Sequence, residues 1–153
     1  MKVKDVMTVD VKSCRLETNA AETVKMMWDQ DCGALPIVND DRKVVGMITD
    51  RDLSVAVATR GRAAERIAVK DVATGKAYTC QAEDDVPAAL EVMKAQQVHR
   101  LPVVDAQGRL KGILSMADIV LHSGAASPTQ IVDSLAGICA PRRKAAVAGA
   151  ARG

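Results

Sequence analysis

Residues 98–118 read VHRLPVVDAQGRLKGILSMAD. The apolar runs at 101–104 and 110–114 are short and β-branched or leucine-rich, and the polar stretch DAQGR separates them, which is the signature of two buried strands joined by a hairpin turn. After the second strand come Ser115 and, three residues on, Asp118, a spacing that suits the first turn of a helix. At the entrance of the first strand stand Val98, His99 and Arg100, although the chain has only 2 histidines. The stretch therefore reads strand, turn, strand, helix start, with polar groups gathered where strands meet helix.

The same reading recurs upstream. LPIV at 35 corresponds to LPVV at 101, VKDVMT at 3 to VKDVAT at 69, Gly46 to Gly112, Cys14 to Cys80 and Asp52 to Asp118, always 66 residues apart. Between residues 3–54 and 69–120 this offset holds without a gap and 14 of 52 positions are identical. On ordinary composition, about 3 would match by chance, at roughly one in seventeen, so the chain is an internal repeat.

Outward from the hairpins, each copy repeats one order of elements. KSCR and AYTC are short strand candidates. NAAETVKMMWDQ carries Val24, Met27 and Trp28 at helical spacing, with Asn19 as N-cap and Glu22 closing a capping box; DVPAALEVMKAQQ follows with Asp85 as its cap and Pro87 in the first turn. ALPIV with VVGMI, and RLPVV with LKGIL, form the hairpins, and the helices starting at TDRDLSVAVA and SMADIVLHSG close each copy. SPTQIVDSLAGICA reads as an additional helix capped by Ser127. The expected fold is α+β: two pseudo-symmetric β-α-β-β-α repeats packed sheet to sheet about an approximate two-fold axis, plus the C-terminal helix. The expected boundaries are 1–60 for the first repeat, 61–68 for a linker, 69–124 for the second repeat, 125–140 for the helix and 141–153 for a basic tail.

Composition narrows the function. Of 153 residues, 48% are apolar and 26% charged, with a net charge of +2, the balance of a water-soluble globular protein with no bias toward nucleic acid. Aromatic residues make up 1%, too few for a single-strand stacking platform. The charged N-terminus lacks the core of a signal peptide, and no apolar run reaches membrane-spanning length, so a cytoplasmic protein is expected. The 4 cysteines, Cys14, Cys32, Cys80 and Cys139, have no tight metal-ligand spacing and are expected to be buried thiols.

Both copies end their last strand on G-x-x-[ST]-x-x-D: GMITDRD from Gly46 and GILSMAD from Gly112. One reading is structural, with Thr49 or Ser115 capping the helix while Asp52 or Asp118 reaches back. The other is functional: a hydroxyl and free N–H groups at a helix start suit an anion, and a carboxylate one turn in can accept bonds from ribose hydroxyls. The two are compatible, and the sequence leaves open which way each acid faces.

Together, VKDVMT…GALPIVNDDRKVVGMITDRDL and VKDVAT…HRLPVVDAQGRLKGILSMADI resemble the tandem CBS domain pair, or Bateman module, over residues 1 to about 122; stand-alone pairs of this length resemble bacterial hypoxic-response and stress proteins. The resemblance implies regulatory binding of AMP, ADP, ATP or S-adenosylmethionine in clefts between the repeats, and a disc-shaped homodimer. It implies ribose-binding acids at Asp52 and Asp118, and ribose- or phosphate-binding hydroxyls at Thr49 and Ser115. HRLPVV resembles the phosphate-facing segment of the gamma subunit of AMP-activated kinase, which puts His99 and Arg100 on phosphate. Each cleft would also draw on the opposite repeat: Thr8, Lys12, Cys32 and Gly33 beside Asp118, and Thr74, Tyr78 and Val98 beside Asp52. Gly33 and Ala34 stand where the second repeat has His99 and Arg100, so the two clefts differ in charge; Arg51, opposite Ala117, is a compensating cation. The rival reading of His99 and Arg100 is a solvated strand end.

Three functions follow for comparison. The first is an adenine-nucleotide sensor acting on a separate, unnamed protein target. The second is a nucleotide-free structural or interaction homodimer whose junction motifs are only caps. An enzyme is not expected, because no Cys–His or Ser–His–Asp arrangement is suggested; nor is a metal, a catalytic cofactor, a membrane or a nucleic acid partner.

Overall fold

A computed structural model describes residues 1–73, 76–122 and 124–141. Thr74 and all but the first residue of the basic tail lie outside them. The alternation read from 98–118 forms as expected: strand β5 (Arg100–Val104) pairs antiparallel with β6 (Leu110–Ser115), and their counterparts β2 (Ala34–Val38) and β3 (Val44–Thr49) pair in the same register, with a bulge just before the turn in each. Strands β1 (Thr8–Val9) and β4 (Cys80–Gln81) extend the second sheet to the order β1-β6-β5-β4. In the first repeat, Cys14 makes only an isolated parallel bridge to Ile37, so KSCR is an extended segment rather than a strand.

Among the described residues five α-helices complete the fold: α1 (Ala20–Asp29), α2 (Asp50–Arg60), α3 (Val86–Gln96), α4 (Met116–Leu121) and α5 (Pro128–Cys139). Thr49, Ser115 and Ser127 cap as their sequence positions predict, each with the reciprocal bond of a capping box. Two caps differ. The Asn19 side chain accepts from the Glu22 N–H, but the return bond from Glu22 is not among those formed. Asp85 occupies the cap position of α3 without capping, because its carboxylate is drawn 2.9 Å from the Lys2 ammonium.

The 66-residue offset is written into the hydrogen bonds. Ala20 N–H donates to Ile67 O and Val86 N–H to Met1 O; Val69 donates to Thr18 and Val3 to Asp84; Lys70 to Leu16 and Lys4 to Ala82; Val44 to Gly108 and Leu110 to Arg42. Each pair exchanges the two repeats, which is the two-fold axis expected of the packing. The last pair lies at the axis, where the two hairpin turns meet and Lys43 bridges Arg109.

These bonds also show that the leading segments are exchanged. Val3 and Val6 are buried in one cluster with Cys80, Leu90, Met93, Leu101 and Leu114 of the second repeat, while Ile67, Val69 and Val72 are buried with Leu35, Ile37, Ile48 and Leu53 of the first. There are thus two apolar cores, each closed by a segment from the other sequence copy. Gly112 is required by this exchange: a Cβ there would lie 2.5 Å from the carbonyl oxygen of Thr8, because β1 pairs across it. At Gly46 the nearest neighbour of a Cβ among the described residues is the flexible end of Ile37 at 3.1 Å, and the counterpart of β1, Thr74 and Gly75, lies outside the described residues.

Candidate functional site

The strand-to-helix junctions bring together the residues that the motif singles out. At the second, one oxygen of Asp118, Oδ2, accepts from the Ser115 N–H at 2.8 Å and from its hydroxyl at 2.6 Å, while Ser115 Oγ accepts from the Asp118 N–H at 3.2 Å. The other oxygen, Oδ1, accepts from the hydroxyl of Thr8 at 3.2 Å. This bond spans the two repeats, and it exists because β1 lies beside β6, with Thr8 opposite Ile113. At the first junction Asp52 Oδ2 accepts from the Thr49 N–H at 3.1 Å and its hydroxyl at 2.7 Å, and the Asp52 N–H returns a bond to Thr49 Oγ1 at 3.1 Å. The counterpart of Thr8 there is Thr74, outside the described residues.

The structural reading of G-x-x-[ST]-x-x-D is therefore correct, and it occupies one oxygen of each acid. Both carboxylates are half-buried, positioned by the strand end and the helix start rather than by a flexible loop.

Arg100 lies directly opposite Ser115 across the β5–β6 pair, and the carbonyl of His99 accepts from the Met116 N–H at 2.9 Å. The junction thus has the half-buried Arg100 at the start of β5 and the exposed His99 immediately before it. In the first repeat Ala34 lies opposite Thr49, and Gly33 O accepts from Asp50 N–H at 3.0 Å. The charge difference between the two junctions is real: a histidine and an arginine at one, a glycine and an alanine at the other. Arg51 is exposed beside the first.

Of the remaining candidates, Lys12 and Tyr78 are exposed and Val98 is half-buried. Cys32 and Gly33 line, with Asp50 of their own repeat, an open groove of about 360 Å³ that Val24, Met27, Trp28 and Asp31 also line. Asp50 and Trp28 were not singled out by the motif; what marked them in the sequence was an acid where the second repeat has Met116 and a tryptophan where it has Lys94.

The cysteines divide. Cys14 and Cys80 are buried, and burial pushes their thiols up to about 11 and about 12, with nearby Asp84 adding to the rise at Cys80; they are protonated and inert at neutral pH. Cys32 is half-buried and Cys139 exposed, against the expectation that all four are core residues. All four are free thiols. Among the described residues no group of three or more His, Cys, Asp or Glu side chains is placed to hold a metal ion.

The CBS domain family model matches residues 3–59 and again residues 69–124. The chain belongs to the CBS domain family. Its two CBS repeats are those that the 66-residue offset defines. Among its relatives, Hypoxic response protein 1 of Mycobacterium tuberculosis is 31% identical over 138 residues, covering 90% of this chain and 94% of that protein. The uncharacterized protein MK0525 of Methanopyrus kandleri is 30% identical over 120 residues, and there the CBS pair covers 78% of this chain and only 61% of the relative. Among solved structures, the CBS domain pair of protein MJ0100 in complex with 5-methylthioadenosine and S-adenosyl-L-methionine superposes with a TM-score of 0.71 at 25% identity, covering 79% of this chain and 98% of that one. No helix among the described residues is long and apolar enough to cross a membrane.

Proposed function

We propose that the protein is a regulatory CBS pair that binds an adenine nucleotide of the AMP, ADP or ATP type, or S-adenosylmethionine, between its repeats and signals by a change of shape or partner affinity. The observation that carries this is the Thr8–Asp118 hydrogen bond. It places a hydroxyl of one repeat on the outer oxygen of the acid of the other, so a ribose that takes Asp118 Oδ1 displaces a bond between the repeats. Ligand occupancy and the relation of the halves are then one equilibrium, and differential affinity for the two arrangements drives the signal.

In this reading Asp118 takes ribose hydroxyls beside Ser115 and Thr8. Arg100 and His99 face phosphate, the guanidinium bidentately and the imidazole as a further donor. Asp52 and Thr49 form the second cleft with Arg51, Thr74, Tyr78 and Val98, the phenol ring covering one face of the adenine. Lys12, Cys32 and Gly33 complete the Asp118 cleft. The ligand bound by the MJ0100 pair supports the adenosine class. The protein acts in the cytoplasm as a regulator without catalytic activity, as a homodimer, on a separate target.

A second reading has its own observation: each acid already satisfies a capping box, so a nucleotide-free interaction dimer needs nothing more from the motif. Thermal melting separates the two. The sensor raises its Tm by several degrees in millimolar AMP, ADP, ATP or S-adenosylmethionine, increasingly with concentration, and Arg100→Ala, which leaves both caps intact, removes most of the shift. A Tm unmoved by all four ligands at millimolar concentration gives the interaction dimer the site.

A further inference from the structure

The two-fold relation between the repeats does not extend to helix α5. Helix α5 lies along α3: Asp133 pairs with Lys94, the Gln97 side-chain amide donates to Gly137 O at 3.2 Å and Ala140 O at 2.8 Å, and Ile138 is buried in the same cluster as Leu90, Met93 and Met116. Subtracting 66 from Leu90, Met93, Lys94, Gln97, Val98, His99 and Met116 gives Val24, Met27, Trp28, Asp31, Cys32, Gly33 and Asp50. These seven are the lining of the 360 Å³ groove on the first repeat. One face is covered by a helix, and its twin is covered by no other element among the described residues. The exposures follow: Leu90 is 1% exposed and Val24 45%, while Trp28 is 85% exposed.

The covered face specifies the shape of what fits the bare one, a helix of about three turns laid along α1. The differences between the twins specify its chemistry. Where α3 has Lys94 to meet the acid Asp133, α1 has the broad apolar ring of Trp28. Where the second repeat has Gln97 and Met116, the groove has the carboxylates of Asp31 and Asp50, and neither forms an ion pair among the described residues. Lys25 is already paired with Asp29 at 2.6 Å, and Arg51 does not line the groove. The groove is therefore an apolar floor of Val24, Met27 and Trp28 with an acidic rim.

We propose that this face of α1 docks a basic amphipathic helix of a partner protein, with the apolar stripe of that helix over Val24 and Trp28 and its lysines or arginines on Asp31 and Asp50. An exposed tryptophan bordered by uncompensated charge has the make-up of a protein-binding centre. The inference does not rest on nucleotide binding, and it goes beyond it by giving the separate target a surface and a charge.

Trp28 is the only tryptophan in the chain, so its emission reports the groove directly. The probe is a synthetic 16-residue helical peptide with a leucine and alanine stripe flanked by lysines, and its control has glutamate in place of each lysine. Titrating the lysine peptide into the full chain shifts Trp28 emission saturably to the blue. The glutamate peptide, or the Asp31→Asn/Asp50→Asn double variant with the lysine peptide, binds roughly tenfold more weakly or worse, since like charges no longer attract or now repel. Trp28→Lys restores the residue of the twin face at an exposed position and keeps the Tm, yet loses peptide binding by calorimetry. Equal binding of the two peptides, or binding indifferent to the Asp31 and Asp50 changes, overturns the proposal. So does an emission already blue-shifted without peptide that turns red on dilution, which assigns the face to a second copy, or on removal of residues 142–153, which assigns it to the chain's own tail.

Discussion

Asp105 and Asn39 occupy the same position in the two hairpin turns, and they do the same work with different charge. Asn39 Oδ1 accepts from the N–H groups of Asp41 and Lys43 at 3.1 and 2.9 Å; Asp105 Oδ1 accepts from those of Gln107 and Arg109 at 3.0 and 2.9 Å. Asp105 adds a second bond, from Arg109 Nε to Oδ2 at 2.9 Å. The Arg109 backbone N–H first, then its side chain and the Gln107 N–H, hold the Asp105 carboxyl below the usual carboxylate range against a smaller opposing effect of desolvation. A depressed native pKa means that the carboxylate stabilises the fold above its ordinary value of about 4 and ceases to as pH falls through the lower native value. Asp105→Asn copies the twin turn and keeps both N–H bonds. It is expected to fold, to melt slightly below the parent at pH 7, and to close that gap progressively below about pH 4; a gap unchanged between pH 7 and pH 3 in thermal melts rules this account out.

At the scale of elements, Gly112 is held to a glycine by the strand that pairs across it. A methyl group at residue 112 meets the Thr8 backbone at 2.5 Å, and a backbone in a two-residue strand yields only by unpairing. Gly112→Ala is expected to cost about 3 kcal/mol, within the range for overpacked sites, and urea unfolding of the variant against the parent measures it. Because β1 carries Thr8, Gly112→Ala also weakens the Asp118 junction, and nucleotide-induced melting shifts fall with it.

The elements also show where sequence reasoning reaches and where it stops. The hairpins, both capped junctions and α5 were legible because their signals are local: alternation with a turn, a hydroxyl three residues before its acid, Ser-Pro at a helix start. The Asp85 cap was misread because its competitor, Lys2, comes from the other repeat, 83 positions earlier. Val24 and Trp28 have the spacing of a buried stripe, and a stripe says only that a helix has an apolar face. On α3 the equivalent face is buried because α5 covers it, which no spacing within α1 can reveal. The Thr8–Asp118 pairing was expected from family resemblance alone, since residues so distant in the chain meet only through the exchange of leading segments.

For the whole molecule, that exchange separates sequence neighbourhood from energetic neighbourhood. Val3 belongs to the first sequence repeat and is fully buried in the core of the second. Val3→Ala removes two methyl-sized groups there and is expected to cost about 2 kcal/mol. Hydrogen exchange will locate the damage: amides of β5 and β6 lose protection before those of β2 and β3. The opposite order means that the halves do not trade their cores in solution. Val69→Ala, its twin, reverses the pattern.

The crossed leaders have a further consequence for how such a molecule comes to exist. Severed between residues 61 and 63, the chain would yield two pieces that each hold the missing plug of the other, so neither is self-sufficient and each is a ready-made complement. Mixed, the pieces would find one another; alone, either would accept a second copy of itself through the same swap. Duplication and fusion of a single small unit would then have preserved an older mutual dependence, converting a bimolecular embrace into a covalent one.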